Sequence, residues 1–111
     1  MADLIFLGNR GSGKTTELIK KSAETGIYIL VLNEKRRREV FEQAKKLGYY
    51  IPNPVTIDDY FRCKFQGSCV QRDGLYIDEV EDILRYVFKG IPIKGMTLTT
   101  RNNLYELEEL D

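Results

Sequence analysis

The chain has 111 residues, of which 42% are apolar and 31% charged, with 17 basic and 17 acidic side chains cancelling to no net charge. That length suits one domain, residues 1–111, and is too short for two; the even charge excludes an overall electrostatic commitment to nucleic acid or membrane, so any basic surface has to be local. Apolar runs of a few residues fall far below the roughly 20 needed to span a bilayer, and no charged N-terminal segment leads into a signal-like run, so a cytoplasmic location without membrane attachment is expected.

LIFLG has the unbroken apolar character of a strand buried on both faces. After the glycine-rich stretch that follows it, Thr16 to Ala23 reads as a helix closed by Gly26. IYILVLN repeats the buried-strand pattern, and the next helix sets Val40, Phe41, Ala44 and Leu47 on one face before Gly48 stops it. Two prolines in IPNPVTIDDYF exclude a regular element until Val55, where VTI predicts a short strand and Asp58 a helix N-cap.

FRCKFQGSCVQRDG has no clean period and is expected to be a surface loop. GLYIDE then predicts a strand ending in two acids, and Val80, Ile83, Leu84, Val87 and Phe88 fall at helical spacing before Gly90. IKGMTLTT is expected to form a further strand, and the acidic NNLYELEELD a short helix or a frayed end. Strands alternating with amphipathic helices predict an α/β fold, a mostly parallel sheet covered on both faces, with ligands at the C-terminal strand ends. Gly8, Asp78 and Thr100 all fall at those ends.

Gly8, four residues, then Gly13, Lys14 and Thr15 fit G-x-x-x-x-G-K-[ST], with a predicted strand before and a predicted helix after. Glycines let the loop turn its backbone N–H groups around a phosphate, and the helix start adds further N–H groups and a positive dipole end. Lys14 supplies charge for the outer phosphates, and the Thr15 hydroxyl is a hard oxygen ligand for magnesium. A plain Gly/Ser turn with an exposed lysine is the competing reading, and Asp78 at the end of a second buried strand weighs against it. In LYIDE, Asp78 can hold the magnesium through water and Glu79 can orient or activate an attacking water beside the terminal phosphate. Taken alone, the two acids would read as a favourable start to the next helix.

With these motifs the chain resembles the P-loop NTPases, in the branch that carries a catalytic glutamate beside the Walker B aspartate. GNRGSGKT matches Walker A and LYIDE matches Walker B, while IYILVLNEKRRREVFEQAKKLG and VTIDDYF are similar to the segments that follow Walker A in helicases. The resemblance implies a minimal RecA-like core, a three-layer sandwich about a mostly parallel sheet of some five strands. It further implies magnesium-dependent binding of ATP by Gly8, Asn9, Arg10, Gly11, Ser12, Gly13, Lys14, Thr15 and Thr16, with metal held by Thr15 and Asp78 and hydrolysis served by Glu79 and Lys14. LTTRN is similar to the sensor motif of helicases and viral DNA-packaging ATPases, which gives Thr99 or Thr100 a place near the terminal phosphate. Packaging ATPases often carry an arginine at the position of Arg10, which either reaches the transferring phosphate in cis or points to solvent; Arg10 and Arg101 are the candidate arginine fingers.

No counterpart of the trans-acting arginine follows Asn103, so a second copy or a partner protein is expected to complete the site, or turnover to be slow. The guanine-reading N-K-x-D is absent, which favours ATP. The resemblance points to a nucleic-acid motor, with a virus or mobile element in keeping with the size and the host cytoplasm as its compartment. A nucleotide-dependent binding module with little turnover is the alternative, and a nucleotide or small-molecule kinase a lesser one.

In EKRRRE, Arg36, Arg37 and Arg38 are candidate contacts to a DNA or RNA backbone, set against a solvated helix face neutralised by Glu34, Glu39 and Glu42. Tyr60, Phe61 and Phe65 suit either base stacking or core packing; Tyr49 and Tyr50 are expected to cover the sheet edge. Cys63 and Cys69 are not at a usual zinc spacing and the chain has no His, so reduced, incidental thiols are expected.

Overall fold

The computed structural model describes residues 3–8, 11, 13–62, 69–97 and 105–110, with backbone only for the first and last of these segments. The elements run β1 (Asp3–Gly8), α1 (Lys14–Thr25), β2 (Tyr28–Val31), α2 (Glu34–Leu47), β3 (Val55–Thr56), α3 (Ile57–Phe61), α4 (Cys69–Asp73), β4 (Leu75–Ile77), α5 (Val80–Val87) and β5 (Tyr105–Leu110). The class is α/β, as the alternation in the sequence predicts.

The sheet is where expectation and structure part. Instead of one sheet of about five strands in a RecA-like core, the described strands form a three-stranded parallel sheet in the order β3-β2-β4 and a separate parallel pair, β1 with β5. In the first, Leu30 lies opposite Val55 and Ile77; in the second, Asp3 is opposite Tyr105 and Gly8 opposite Leu110. The further strand expected in IKGMTLTT is not formed over residues 93–97, and 98–100 lie outside the described residues. Met96, at 63% exposure, buries too little apolar surface to drive strand pairing there.

The tail expected to be helical or frayed is instead β5. Its helix-favouring acids are overridden by a ladder with β1, and propensity of this kind is a weak prior against tertiary pairing.

Period-2 alternation along β2 gives the sheet two faces. Ile29 and Val31 point to α1 and α2, packing with Ile19, Val40 and Ala44, all buried. Leu30 points the other way, packing with Ile57 of α3 and Ile83 of α5. Ser22 is also fully buried on the first side, and its hydroxyl is satisfied by donating to the Ile27 carbonyl at 2.7 Å. The helix ends fall where the sequence places them, at Gly26 for α1 and Gly48 for α2.

Smaller expectations also shift. Leu47 is 47% exposed, so the apolar stripe of α2 ends at Ala44, with Phe41 half-buried beneath the Lys45 ammonium, 4.9 Å from its ring centre. The N-cap of α3 is Thr56, not Asp58: Thr56 accepts from the Asp59 N–H while the Asp59 carboxylate accepts from the Thr56 N–H, a reciprocal box that Asp58 cannot make. Part of the expected loop is helical, as α4; residues 63–68, with Cys63 and Phe65, lie outside the described residues. Among the described residues no helix is long and apolar enough to cross a membrane.

Candidate nucleotide site

The C-terminal ends of β2 and β4 face the start of α1 across a cleft of about 570 Å³. Gly11 and Gly13 approach it with φ of 82° and 94°. A Cβ at Gly13 would meet no atom within 4 Å, so it is the left-handed backbone that asks for glycine there. From Gly13 the chain enters α1 directly: the Glu17 N–H donates to the Gly13 carbonyl at 3.0 Å, and Lys14 opens the helix on the cleft wall. The earlier N–H groups of that first turn have no partner within the helix, and the positive end of its dipole favours an anion.

Thr15 is one residue further. Its hydroxyl donates to Asp78 Oδ1 at 2.9 Å, joining segments 63 residues apart. Asp78 owes its position to β4, whose ladder with β2 continues one step beyond the strand as the Asp78 N–H donates to the Leu30 carbonyl at 3.0 Å. Its side chain is only 3% exposed, whereas that of the adjacent Glu79 is exposed, so the two acids do point differently. Glu79 stands at the N-terminus of α5 with φ 54°, left-handed for a residue with a Cβ, and its carboxylate makes no capping hydrogen bond. The helix-start reading of Glu79 therefore rests on charge at the positive end of α5 alone, without a capping hydrogen bond.

A carboxylate as buried as Asp78 needs compensation. It is provided by Arg36, whose Nε donates to Asp78 Oδ2 at 2.7 Å and whose Nη2 donates to Thr15 Oγ1 at 2.9 Å. The Asp78 hydrogen bond holds the guanidinium proton more firmly than usual, against the opposing effect of burial, with the Asp78 charge and Glu39 adding to it. One neighbouring link completes this side of the cleft: Gln43 Nε2 donates to Thr16 Oγ1 at 3.0 Å, bracing the first turn of α1 against α2.

Of the sequence-predicted site residues, Gly11, Gly13, Lys14, Thr15, Thr16, Asp78 and Glu79 line this one cleft, and so does Arg36, expected instead as a nucleic-acid contact. Gly8 ends β1 opposite Leu110. Asn9, Arg10, Ser12, Thr99, Thr100 and Arg101 lie outside the described residues.

The basic run divides. Arg36, expected on an outer face, turns inward because it extends the buried stripe of α2: Arg36, Val40 and Ala44 stand four residues apart, the spacing of one helix face. That spacing is the signal in the sequence that marks Arg36 as a site residue. Arg37 pairs with Glu34 and donates to Asn53 at 2.9 Å, as the neutralised-face reading expects, and Arg38 is exposed. Tyr60 and Phe61 are about half exposed, with ring centres 5.8 Å apart, which removes core packing as their explanation. Tyr49 does pack on the core, but Tyr50 is 96% exposed and covers no sheet edge.

The donor set suits a hard divalent cation. Thr15 Oγ1 and Asp78 Oδ1 stand 2.9 Å apart. Both are hard oxygen donors of the kind magnesium prefers, and their hydrogen bond keeps them side by side. Groups of three or more His, Cys, Asp or Glu side chains able to hold a metal unaided are absent among the described residues, so such an ion would need oxygens from a ligand or water. In comparisons with known proteins, no family model, no curated protein and no solved structure matches this chain.

Proposed function

We propose that this chain binds ATP with magnesium in the cleft between α1, α2 and β4, and hydrolyses it. The observation that carries the reading is the Thr15 to Asp78 hydrogen bond of 2.9 Å, which brings the last residue of the glycine-lysine motif onto the acid at the end of a second parallel strand. A plain glycine turn has no need of that partner. In this reading the start of α1 and Lys14 receive the outer phosphates, Thr15 and Asp78 hold magnesium, and exposed Glu79 orients and deprotonates the attacking water. Magnesium held there would neutralise the charge that develops on the phosphates. The finer assignment, a minimal core of the catalytic-glutamate P-loop branch, is supported by the same residues and by the parallel strands that present them. ATP is preferred to GTP because the chain lacks N-K-x-D.

Calorimetry with Mg–ATP, together with phosphate release measured with and without single-stranded DNA or RNA, tests this. Wild type should bind, Lys14→Ala should lose most of the affinity, and Glu79→Gln should bind normally but not turn over. Undiminished affinity in Lys14→Ala would overturn the site. Wild-type turnover in Glu79→Gln would overturn the role of Glu79, and binding without any phosphate release in wild type would leave a nucleotide-dependent binding module.

A further inference from the structure

The guanidinium of Arg36 lies against the two oxygens that the proposed function gives to magnesium. Its Nη2 reaches Thr15 Oγ1 at 2.9 Å and Asp78 Oδ1 at 3.4 Å, and its Nε reaches Asp78 Oδ2 at 2.7 Å. A single cationic group thus neutralises the buried acid and donates to both the carboxylate and the hydroxyl. Arg36 and a divalent ion contend for one corner, because both are cations drawn to the same buried carboxylate and the guanidinium already donates to Asp78 Oδ2 and Thr15 Oγ1.

Resting on the reading of the site given above, we propose that Arg36 is a resident counter-cation that competes with the divalent ion for Thr15 and Asp78: it holds the site in order without nucleotide and is displaced when magnesium arrives with the triphosphate. Three features argue for exchange rather than a permanent ion pair. Asp78 is 3% exposed and needs a cation in either state, so releasing Arg36 is tolerable only if another charge replaces it. Arg36 itself keeps 30% of its side chain exposed, so it has an open side to leave by. On release it has an acceptor close at hand in Glu39, now 3.5 Å from Nη1, and on the same cleft wall it faces the place of the outer phosphates. Magnesium alone must dislodge the arginine unaided, whereas magnesium with a triphosphate brings anionic oxygens that take up the freed guanidinium. The two ligands are therefore coupled through Arg36.

The experiment has two arms. In the first, Mn²⁺ is titrated into nucleotide-free protein and followed by electron paramagnetic resonance. Arg36→Met should bind Mn²⁺ about tenfold more tightly than wild type, the scale on which one close charge alters a carboxylate's hold on a cation. Its thermal midpoint should rise with Mn²⁺, and Arg36→Met/Asp78→Asn should lose both effects. Equal Mn²⁺ affinity in wild type and folded Arg36→Met would overturn the proposal.

The second arm uses wild type, in case Arg36→Met fails to fold. The Arg36 Nε–H resonance, assigned by its loss in Arg36→Lys, should persist with Mg²⁺ alone and shift or vanish with Mg²⁺ and a nonhydrolysable ATP analogue. An unchanged resonance at saturating analogue would overturn the proposal. If calorimetry finds no binding of the analogue, it is the nucleotide reading that fails, and the Mn²⁺ arm still decides the competition.

Discussion

The Tyr86 hydroxyl of α5 donates to Asp58 Oδ1 of α3 at 3.0 Å, tying together the two helices that cover the second face of the sheet. The bond to Asp58, reinforced by its negative charge, raises the Tyr86 pKa above the ordinary phenol value of 10.0. A folded-state pKa raised above the unfolded one means stability that is complete below about pH 10 and lost as pH rises through the folded value. Spectrophotometric titration of the seven tyrosines should therefore show a late-titrating component. Tyr86→Phe should remove that component and Asp58→Asn should move it down; an unaltered titration curve in Asp58→Asn would refute the assignment.

Glu79 combines an expected chemical role with an unfavourable backbone, φ 54°. Glu79→Gly and Glu79→Ala both delete the carboxylate, and both should abolish turnover. They should differ in stability, because the left-handed region costs alanine about 1 kcal/mol and glycine almost nothing. Urea denaturation should find Glu79→Gly the more stable by about that amount, and the reverse order would mean that this backbone is not retained.

Asn33 Oδ1 accepts from the Arg36 N–H at 2.9 Å and so caps α2. Asn33→Ala should cost about 1 kcal/mol, with Asn33→Asp close to wild type. Chemical denaturation measures both, and a neutral Asn33→Ala would show that the cap does not limit the stability of α2.

Ile29 is fully buried in the central strand of the larger sheet, whereas Ile91 is 65% exposed. Truncation to alanine should cost about 2 to 5 kcal/mol at Ile29 and within about 0.5 kcal/mol of nothing at Ile91. Equal losses at the two positions would contradict the placement of the core on β2.

Elements set by local chemistry were legible in the sequence. The apolar run of β2, the glycines that stop α1 and α2, and the glycine-lysine motif at the start of α1 all carry their reasons within a few residues. Legibility fell where the partner was remote. Nothing within YELEEL says that it will lie beside residues 3–8, and the same acids that suggest a helix are tolerated in a strand once β1 supplies the ladder. Asp58 looked as good a cap as any acid before a helix, and only the box with Asp59 selects Thr56. The site divides in the same way. Thr15 and Asp78 follow from their motifs, but the use of Arg36 depends on how closely α2 passes the end of β4, a tertiary distance. The four-residue step from Arg36 to Val40 and Ala44 was the trace this left in the sequence, and the density of charge in EKRRRE hid it.

Arg36 is held at both ends by different means, its backbone by the Asn33 cap and its guanidinium by Thr15 and Asp78. The cap fixes the first turn of α2 while leaving the side-chain torsions to turn. Exchange of one cation for another in this corner, as proposed, would then need side-chain rotation and no domain closure, the slower motion of microseconds to milliseconds. If the site loads nucleotide by this exchange, stopped-flow traces of nucleotide binding should be single-exponential with rates that rise linearly with ligand concentration.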